Sequence, residues 1–209
     1  MYSSPTQSPR PQDKGNSRLW LIVLIVALAL AIPWYTHNSL TGKDESVSSA
    51  WANVQSNLQR RADLIPNLLR TVEKAMDYES ETLEALVEQQ AELLARHRQP
   101  PADVAELNNI ANLDKQLSIS TQHILARAAV LPDLKATDQF LQLQAQLEGT
   151  ENRINVARIR YNEAVRDYNS AIRGFIGRYV AEPLGMTARP YFEASDGADQ
   201  PVEVVFGDD

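Results

Sequence analysis

The chain has 209 residues, of which 27 are acidic and 20 are lysine or arginine, so its formal net charge is −7. This length indicates one domain with additional segments. The chain contains no cysteine, which excludes disulfides, thiolate catalysis and zinc sites built on sulfur. The acidic balance argues against nucleic-acid binding, because that requires a concentrated surface of lysine and arginine.

An uncharged apolar segment, "LWLIVLIVALALAIPWY", occupies residues 19–35. A membrane-spanning helix needs roughly 20 apolar residues, and about 17 is the short limit. Trp20, Trp34 and Tyr35 stand near the ends of the segment, as interfacial anchors do. The pattern predicts a transmembrane anchor at residues 19–35, preceded by a disordered cytoplasmic leader at residues 1–18.

The charges around the apolar segment predict its orientation. Three basic residues and one acidic residue precede it: Arg10, Lys14, Arg18 and Asp13. The positive-inside rule therefore places the N-terminus in the cytoplasm and residues 36–209 across the membrane. The alternative is a cleaved signal peptide, since residues 29–31 have the small-x-small form of a cleavage site. Pro33 just beyond that site and the long polar leader oppose cleavage.

Helix-breaking residues are sparse through the middle of the chain. Between Lys43 and Arg173 there are only five: Pro66, Pro100, Pro101, Pro132 and Gly149. Long intervals without them favour helices, because both residue types are costly inside a helix. The sequence thus predicts a helical bundle at residues 43–175. A loop-rich tail follows at residues 176–209, with one possible short strand at residues 201–206.

An uncharged stripe with 3-4 spacing runs along the last predicted helix. It comprises Phe140, Leu143, Leu147, Thr150, Ile154, Ala157, Tyr161, Ala164, Tyr168, Ala171 and Phe175. A strict seven-residue repeat of this kind predicts a left-handed, coiled-coil-like pairing of helices. We expect this seam to be dry in the folded protein.

Three further stripes precede it in the chain. The first comprises Val47, Trp51, Val54, Leu58 and Ile65; the second Leu69, Val72, Met76, Glu79, Leu83, Leu86, Gln90 and Leu93; the third Leu107, Ile110, Asp114, Leu117, Thr121, Ile124, Ala128 and Leu131. Pro66 either ends or kinks the first helix, and Asp63 would cap a new helix that begins near Pro66. The predicted fold is all-α: an elongated antiparallel bundle of three to four long helices behind one transmembrane helix.

The stretch "EGTENRINVARIRYNEAVRDYN" at residues 148–169 resembles a catalytic centre in composition. On a helical wheel, Tyr161 and Tyr168 fall on the buried stripe. The charged residues fall off it: Arg153, Arg158, Arg160, Glu163, Arg166 and Asp167. Interleaved charges of both signs are typical of a solvated face with i,i+3 pairs, here Arg160–Glu163 and Glu163–Arg166. We therefore predict no catalytic residue in this stretch.

Three catalytic or metal-binding alternatives apply to the same helices. A di-iron bundle needs Glu-x-x-His, which is absent from the sequence. Glu148 and Glu151, three positions apart, are a candidate acid/base pair for a hydrolase, and His123 is a candidate phosphotransfer histidine. His37, His97 and His123 are far apart, so no histidine metal cluster is expected. The sequence predicts no catalytic, metal or cofactor site.

Two small features carry structural hypotheses. Gly149 lies beside the buried stripe, where it would admit a close neighbouring helix or mark a bend. Tyr191 and Phe192 form an apolar pair in a polar tail, which we expect to dock onto the bundle. The alternative for this pair is an exposed anchor for a binding partner.

Three segments resemble the LemA family of bacterial proteins: "RRADLIPNLLRTVE" (60–73), "LPDLKATDQFLQLQAQLEGTENRINVARIRYNEAVRDYNSAIRGF" (131–175) and "RPYFEA" (189–194). The resemblance covers most of residues 45–195. It implies a membrane-anchored, elongated helical bundle with no established enzymatic activity, and a partner among envelope proteins. The chain departs from the family pattern at Ile176, where a proline usually follows the phenylalanine, and in its acidic, glutamine-rich residues 77–90.

The preferred functional hypothesis is a non-catalytic interaction or scaffold module at the cell envelope, with its C-terminal domain on the periplasmic side of the bacterial inner membrane. It requires the membrane and an unidentified envelope protein as partners, and neither nucleic acid nor a cofactor. The alternative is a hydrolase or phosphotransfer component using Glu148 with Glu151, or His123. A third possibility is a homo-oligomer in which the long stripe pairs separate chains.

Overall fold

The computed structural model describes residues 14–73 and 80–193, and every regular element in this part is a helix. The elements are α1 (Lys14–Glu73), α2 (Ser80–Arg96), α3 (Val104–Ala128), α4 (Pro132–Lys135), α5 (Asp138–Arg173) and α6 (Phe175–Ala181). The expected all-α helical bundle, preceded by an apolar N-terminal helix, is confirmed. The predicted strand at residues 201–206 and most of the predicted leader lie outside the described residues.

Helix α1 is continuous over 60 residues and passes through both Pro33 and Pro66. The predicted helix start at Pro66, with Asp63 as its cap, is therefore wrong. A proline inside a helix removes one hydrogen bond to the carbonyl four residues earlier, which here belongs to Ala62. That carbonyl instead accepts a hydrogen bond from Gln90 Nε2 of α2 at 2.9 Å. Because α2 replaces the lost bond, the helix continues.

Helices α1 and α5 pack antiparallel along most of their lengths. Trp51 lies against Tyr161, and Arg61 pairs with Glu151. Residue numbers therefore rise along α1 as they fall along α5, so the two helices run in opposite directions. The predicted stripe of α5 is buried as far as Tyr161. It is buried by helices of the same chain, so the pairing of separate chains along this stripe is wrong.

Beyond Tyr161 the buried positions depart from the strict seven-residue repeat. Val165 and Ile172 are buried where Ala164 and Ala171 were expected, while Tyr168 remains buried. The buried residues Ile154 and Val165 are eleven positions apart. Eleven residues are close to three full turns of an α-helix, so an almost straight helix keeps the same side toward its partner. Phe175, the last predicted member, is 78% exposed because α5 ends at Arg173.

Helices α2 and α3 form a hairpin packed on the α1–α5 pair. Every position of the third stripe from Leu107 to Ala128 is buried. The second stripe is divided, since Val72 lies in α1 while Leu86 and Leu93 lie in α2, and residues 74–79 between them are not described. Two side-chain hydrogen bonds cap the start of α3: Asp103 accepts from the Glu106 amide at 2.8 Å, and Glu106 accepts from the Ala102 amide at 2.9 Å.

After α5 the chain turns, forms the short helix α6 and returns along the bundle in an extended segment. Phe192 is buried, whereas Tyr191 is 40% exposed. The predicted docking of this aromatic pair onto the bundle is confirmed for Phe192.

Gly149 does not mark a close approach of two helices. A Cβ added at this position would meet only the guanidinium of Arg153, at 3.7 Å, and Arg153 belongs to the same helix. The expected contact with a neighbouring helix at Gly149 is therefore wrong.

The apolar segment at residues 19–35 is helical and exposed along its whole length. Its 18-residue apolar window is uncovered by the described rest of the protein, and the first buried residue after it is Leu40. A long uncovered apolar helix is consistent with a membrane anchor, and a signal sequence has the same properties.

Candidate functional site

The three sequence segments at 60–73, 131–175 and 189–194 meet at the middle of the bundle, around Trp51 of α1. Arg61 comes from the first, Arg158 and Tyr161 from the second, and Phe192 from the third. Their side chains form two joined groups, a buried ion network and an aromatic cluster. Arg158 belongs to both, because its guanidinium pairs with Asp114 and lies 5.1 Å from the centre of the Phe192 ring.

The ion network is centred on the guanidinium of Arg61, which is 2% exposed. Its Nη1 donates to Glu151 Oε2 at 2.6 Å. Its Nη2 pairs with the carboxylate of Asp114 and donates to the Asp114 backbone carbonyl at 3.0 Å. Arg61 therefore joins α1 to α3 and α5 at one point.

Arg158 completes the network by pairing with the second carboxylate oxygen of Asp114, while Ser118 Oγ donates to Glu151 Oε2 at 3.3 Å. Two positive and two negative side chains thus balance each other. Burial lowers the pKa of Arg61 and of Arg158, and the Glu151 carboxylate opposes this shift in both. The buried charges of Arg61 and Asp114 each face an opposite charge, which offsets part of the cost of their burial.

The aromatic cluster consists of Trp51, Tyr161 and Phe192. The Tyr161 ring meets both others edge-on, with centroids 5.4 Å apart in each case, and Trp51 stacks on Phe192 at 6.1 Å. Burial raises the pKa of Tyr161 to about 12, and Arg189 partly opposes this. The Tyr161 hydroxyl and Trp51 Nε1 are buried and have no hydrogen-bond partner within the described residues. A phenol with this pKa remains protonated at neutral pH.

Two asparagines of α5 hold the backbone of the returning segment, and we call this arrangement the asparagine clasp. The Asn162 side-chain amide donates to the Phe192 carbonyl and accepts from the Phe192 amide, both at 2.9 Å. Asn169 bonds Arg189 in the same way, with both distances 2.8 Å. The Arg189 guanidinium in turn donates to Asp44 Oδ1 of α1 at 2.9 Å. The clasp therefore fastens the C-terminal segment to α5 and to α1.

The three segments lie within the range that matches a known protein family. The sequence profile of the LemA family matches residues 50–206, which include Trp51, the ion network and the clasp. The chain belongs to the LemA family. It is also similar to Protein LemA of Metamycoplasma hominis, with 21% identity over 191 residues, covering 90% of this chain and 84% of that protein. The LemA family is not a known family of enzymes.

The candidate catalytic residues suggested by the sequence are not brought together in this LemA-family chain. Glu151 is held by Arg61 and Ser118, whereas Glu148 is exposed and accepts a hydrogen bond from Gln144 at 2.9 Å. His123 is exposed on α3. No pairing of Glu148 with Glu151 as acid and base is seen in the described contacts.

The remaining histidines and acids also lie apart. His97 is buried, and its Nδ1 lies 2.8 Å from the Leu93 carbonyl, while His37 is exposed on α1. Within residues 14–73 and 80–193 no group of three or more histidine or carboxylate side chains is arranged to hold a metal ion.

A cleft of about 430 Å³ opens beside the ion network. Polar side chains of α3 and α5 line it together with network members: Asn108, Asn112, Asp114, Glu151, Asn155 and Arg158. The network members nearest to solvent here are Glu151 and Arg158, whose side chains are 37% and 25% exposed, whereas Asp114 is buried. Since the charges of both residues are already paired, the cleft offers hydrogen-bonding groups rather than a free acid or base.

Sequence reasoning missed the network because it treated each helix separately. Arg158 was assigned to a solvated face, yet it reaches Asp114 on α3. The expected pairs Arg160–Glu163 and Glu163–Arg166 do not form; Arg166 instead lies 3.7 Å from Asp167. One signal was available, since Asp114 is a charged residue in the middle of a buried stripe and requires a partner.

Proposed function

We propose that this LemA-family chain is a non-catalytic scaffold, anchored in the cell membrane through residues 19–35, which holds a protein partner on the extracytoplasmic side. The observation that carries the proposal is that the polar side chains at the middle of the bundle are bound to other groups of the same chain. The charges of the ion network bind one another, and the clasp binds the chain's own C-terminal segment. These groups stabilise the bundle, which leaves none of them free for acid/base work.

The anchor and the bundle share one helix, and this supports a mechanical role. Helix α1 carries the exposed apolar segment and continues without a break to Glu73. At about 1.5 Å per residue, the part of α1 from Leu40 to Glu73 extends roughly 50 Å from the end of the anchor. A rigid arm of this length would present a partner surface well away from the bilayer.

The orientation can be tested with one introduced cysteine, because the chain has none of its own. Val130→Cys places a thiol at a position that is 76% exposed. A membrane-impermeant maleimide should label it in intact spheroplasts as fully as in lysed ones. Labelling only after lysis would place the bundle in the cytoplasm and contradict the proposed topology.

The scaffold role can be tested by photocrosslinking in membranes. The outward face of α5 exposes Leu141 and Ile159, five helical turns apart on the same side. A photoreactive amino acid at Ile159 should yield one discrete crosslinked protein, identified by mass spectrometry, and the same residue at Val87 of α2 serves as a control. Equal products from both positions would indicate random collision and contradict the scaffold.

A variant that leaves the ion network intact distinguishes the catalytic alternative from the scaffold role. Glu148→Gln combined with His123→Asn alters two exposed side chains and spares Glu151, which is needed by Arg61. A scaffold should keep the crosslinked product and restore any phenotype of cells that lack the chain. Lost complementation with unchanged helicity would favour chemistry at these residues.

A further inference from the structure

An exposed aromatic surface lies at one end of the bundle, on the turn that follows α5. Phe175 is 78% exposed, Tyr179 is 64% exposed and Ile176 is 47% exposed. The opposite side of α6 is covered, since Gly177 and Ala181 are buried against the bundle. Helix α6 is therefore amphipathic, with its apolar outer side left uncovered by the described part of the chain.

The helix register places this surface beside the membrane anchor. Helix α5 runs antiparallel to α1, with Glu151 level with Arg61 and Tyr161 level with Trp51. Continuing that register brings the end of α5 level with Leu40, the first buried residue of α1. The C-terminal end of α5 therefore points toward the apolar segment.

The returning segment confirms that the chain reverses at this point. Arg189 pairs with Asp44, and Phe192 stacks on Trp51, so this segment moves away from the apolar segment along α1. Of the C-terminal residues that the structure describes, up to residue 193, the turn at 174–185 is thus the part nearest to the anchor. Helix α6 itself packs against α1.

The distance from the anchor matches the thickness of the lipid headgroup layer. From Tyr35 to Leu40, α1 rises about 7.5 Å. A bilayer has a hydrocarbon core of about 30 Å and a total thickness of about 40–45 Å, which leaves roughly 5–7.5 Å of headgroup region on each side. With residues 19–35 in the hydrocarbon core, the end of α5 and the adjoining start of α6 would lie in the headgroup layer, where aromatic residues concentrate in membrane proteins.

The charges beside the aromatic surface agree with a position next to lipid headgroups. Arg173 and Arg178 are exposed next to the aromatic surface, with Glu182 as the acidic neighbour, so the turn is locally basic in a chain of net charge −7. The Arg178 guanidinium lies 5.9 Å from the centre of the Tyr179 ring. Basic side chains beside aromatic ones are the combination that binds anionic phospholipid surfaces.

We propose that α6 is a second membrane contact, which seats the end of the bundle on the bilayer that holds residues 19–35. Phe175, Ile176 and Tyr179 enter the headgroup boundary. Arg173 and Arg178 bind the phosphates of anionic lipids. This contact would fix the tilt of the bundle relative to the membrane, which a single helix crossing does not do. The proposal rests on the anchor assigned under the proposed function.

Depth-dependent fluorescence quenching tests the contact in the full chain, held as one copy per nanodisc. An environment-sensitive dye is attached to single cysteines introduced by Ile176→Cys or Tyr179→Cys, so that Phe175 is retained. Val130→Cys is the matched control, being 76% exposed at the opposite end, where Leu131 lies beside Asn67. Leu24→Cys reports on the anchor. The quencher is a nitroxide carried near the lipid headgroup.

In nanodiscs of phosphatidylcholine with phosphatidylglycerol, the dyes at residues 176 and 179 should be quenched several-fold more than the dye at residue 130. If the dye at residue 24 is quenched but the dyes at residues 176 and 179 are quenched no more than the control at residue 130, the α6 contact is overturned. The anchor is then still supported. Absence of quenching at residue 24 overturns the anchor, and with it this proposal. Dyes at residues 176 and 179 that resist aqueous iodide without lipid quenching would show a protein cover, which also overturns it.

A double variant tests the contact between the two arginines and the lipid phosphates. Arg173→Gln with Arg178→Gln should lower the quenching at residue 176 in discs that contain phosphatidylglycerol, and leave it unchanged in discs of phosphatidylcholine alone. Circular dichroism serves as the folding control, because both arginines are exposed. Equal quenching before and after the substitution in the anionic discs would overturn the phosphate contact.

Discussion

Arg61 of α1 donates to the backbone carbonyl of Asp114 of α3 at 3.0 Å, and the same guanidinium pairs with the Asp114 carboxylate. The two residues are 53 positions apart in the chain, and both are almost fully buried. A buried ion pair of this kind gains little over an apolar core, but losing one partner is costly because the other charge remains buried. The network is therefore sensitive to single substitutions.

Asp114→Asn should destabilise the bundle by about 3–5 kcal/mol, because Arg61 and Arg158 would share only the Glu151 carboxylate. Urea unfolding of the full chain in detergent micelles, followed by circular dichroism, measures the free energy of unfolding. Asp167→Asn is the control, since Asp167 pairs with Arg166 on the surface, where both side chains are more than 60% exposed. We expect the control to change stability by less than about 1 kcal/mol. Equal effects would contradict a buried network.

Asn169→Ala should release the C-terminal segment without unfolding the helices. The substitution removes two hydrogen bonds to Arg189, each contributing about 0.5–1.5 kcal/mol. Limited proteolysis should then cut more rapidly between Gly185 and Phe192, while the helical signal stays constant. Asn152→Ala on the exposed side of α5 is the matched control. An unchanged cleavage rate in the Asn169 variant would show that the clasp does not hold the segment.

Tyr161→Phe should leave stability unchanged or raise it by about 1 kcal/mol. The Tyr161 hydroxyl is buried without a hydrogen-bond partner in the described residues, so removing it also removes the cost of keeping it from water. Thermal unfolding in micelles measures the effect. A loss of more than about 1 kcal/mol would indicate that the hydroxyl makes a stabilising contact.

The same residue predicts a pH dependence at the alkaline end. The pKa of Tyr161 is raised by burial to about 12, above the usual 10 of the unfolded chain. Its contribution to stability is fully present below pH 10 and is lost as the pH rises through 12, because only the unfolded chain ionises in that window. The loss should be on the order of 2 kcal/mol. Unfolding midpoints measured in this window should fall less steeply for Tyr161→Phe than for the parent chain, and equal slopes would contradict the raised pKa of Tyr161.

Gly177→Ala and Gly42→Ala should change stability in opposite directions. A Cβ at Gly177 would lie 1.9 Å from the Ala171 carbonyl oxygen, so α6 would have to move off the end of α5. At Gly42, inside α1, a Cβ meets nothing within 4 Å, and alanine should stabilise the helix by about 1 kcal/mol. Thermal unfolding compares the two variants. A stabilising Gly177→Ala would contradict the packing of α6 described above.

Local patterns predicted most of the helical architecture. The buried side of α3 follows its apolar spacing from Leu107 to Ala128, because each helix must bury one face to gain from the hydrophobic effect. The continuous path of α1 through Pro66 was not predicted. It depends on Gln90, which bonds the Ala62 carbonyl from another helix, and no local rule supplies that partner.

The helical fold class, the apolar N-terminal segment and the family follow from the order of the amino acids, since periodicity, hydropathy and motif order are local properties of the chain. The partners of the charged residues, in contrast, depend on how the helices pack. Whether Arg158 faces water or Asp114 depends on which helix lies beside it, and that follows from the packing of the entire bundle. For the same reason, the proximity of α6 to the apolar segment depends on the antiparallel packing of α5 against α1.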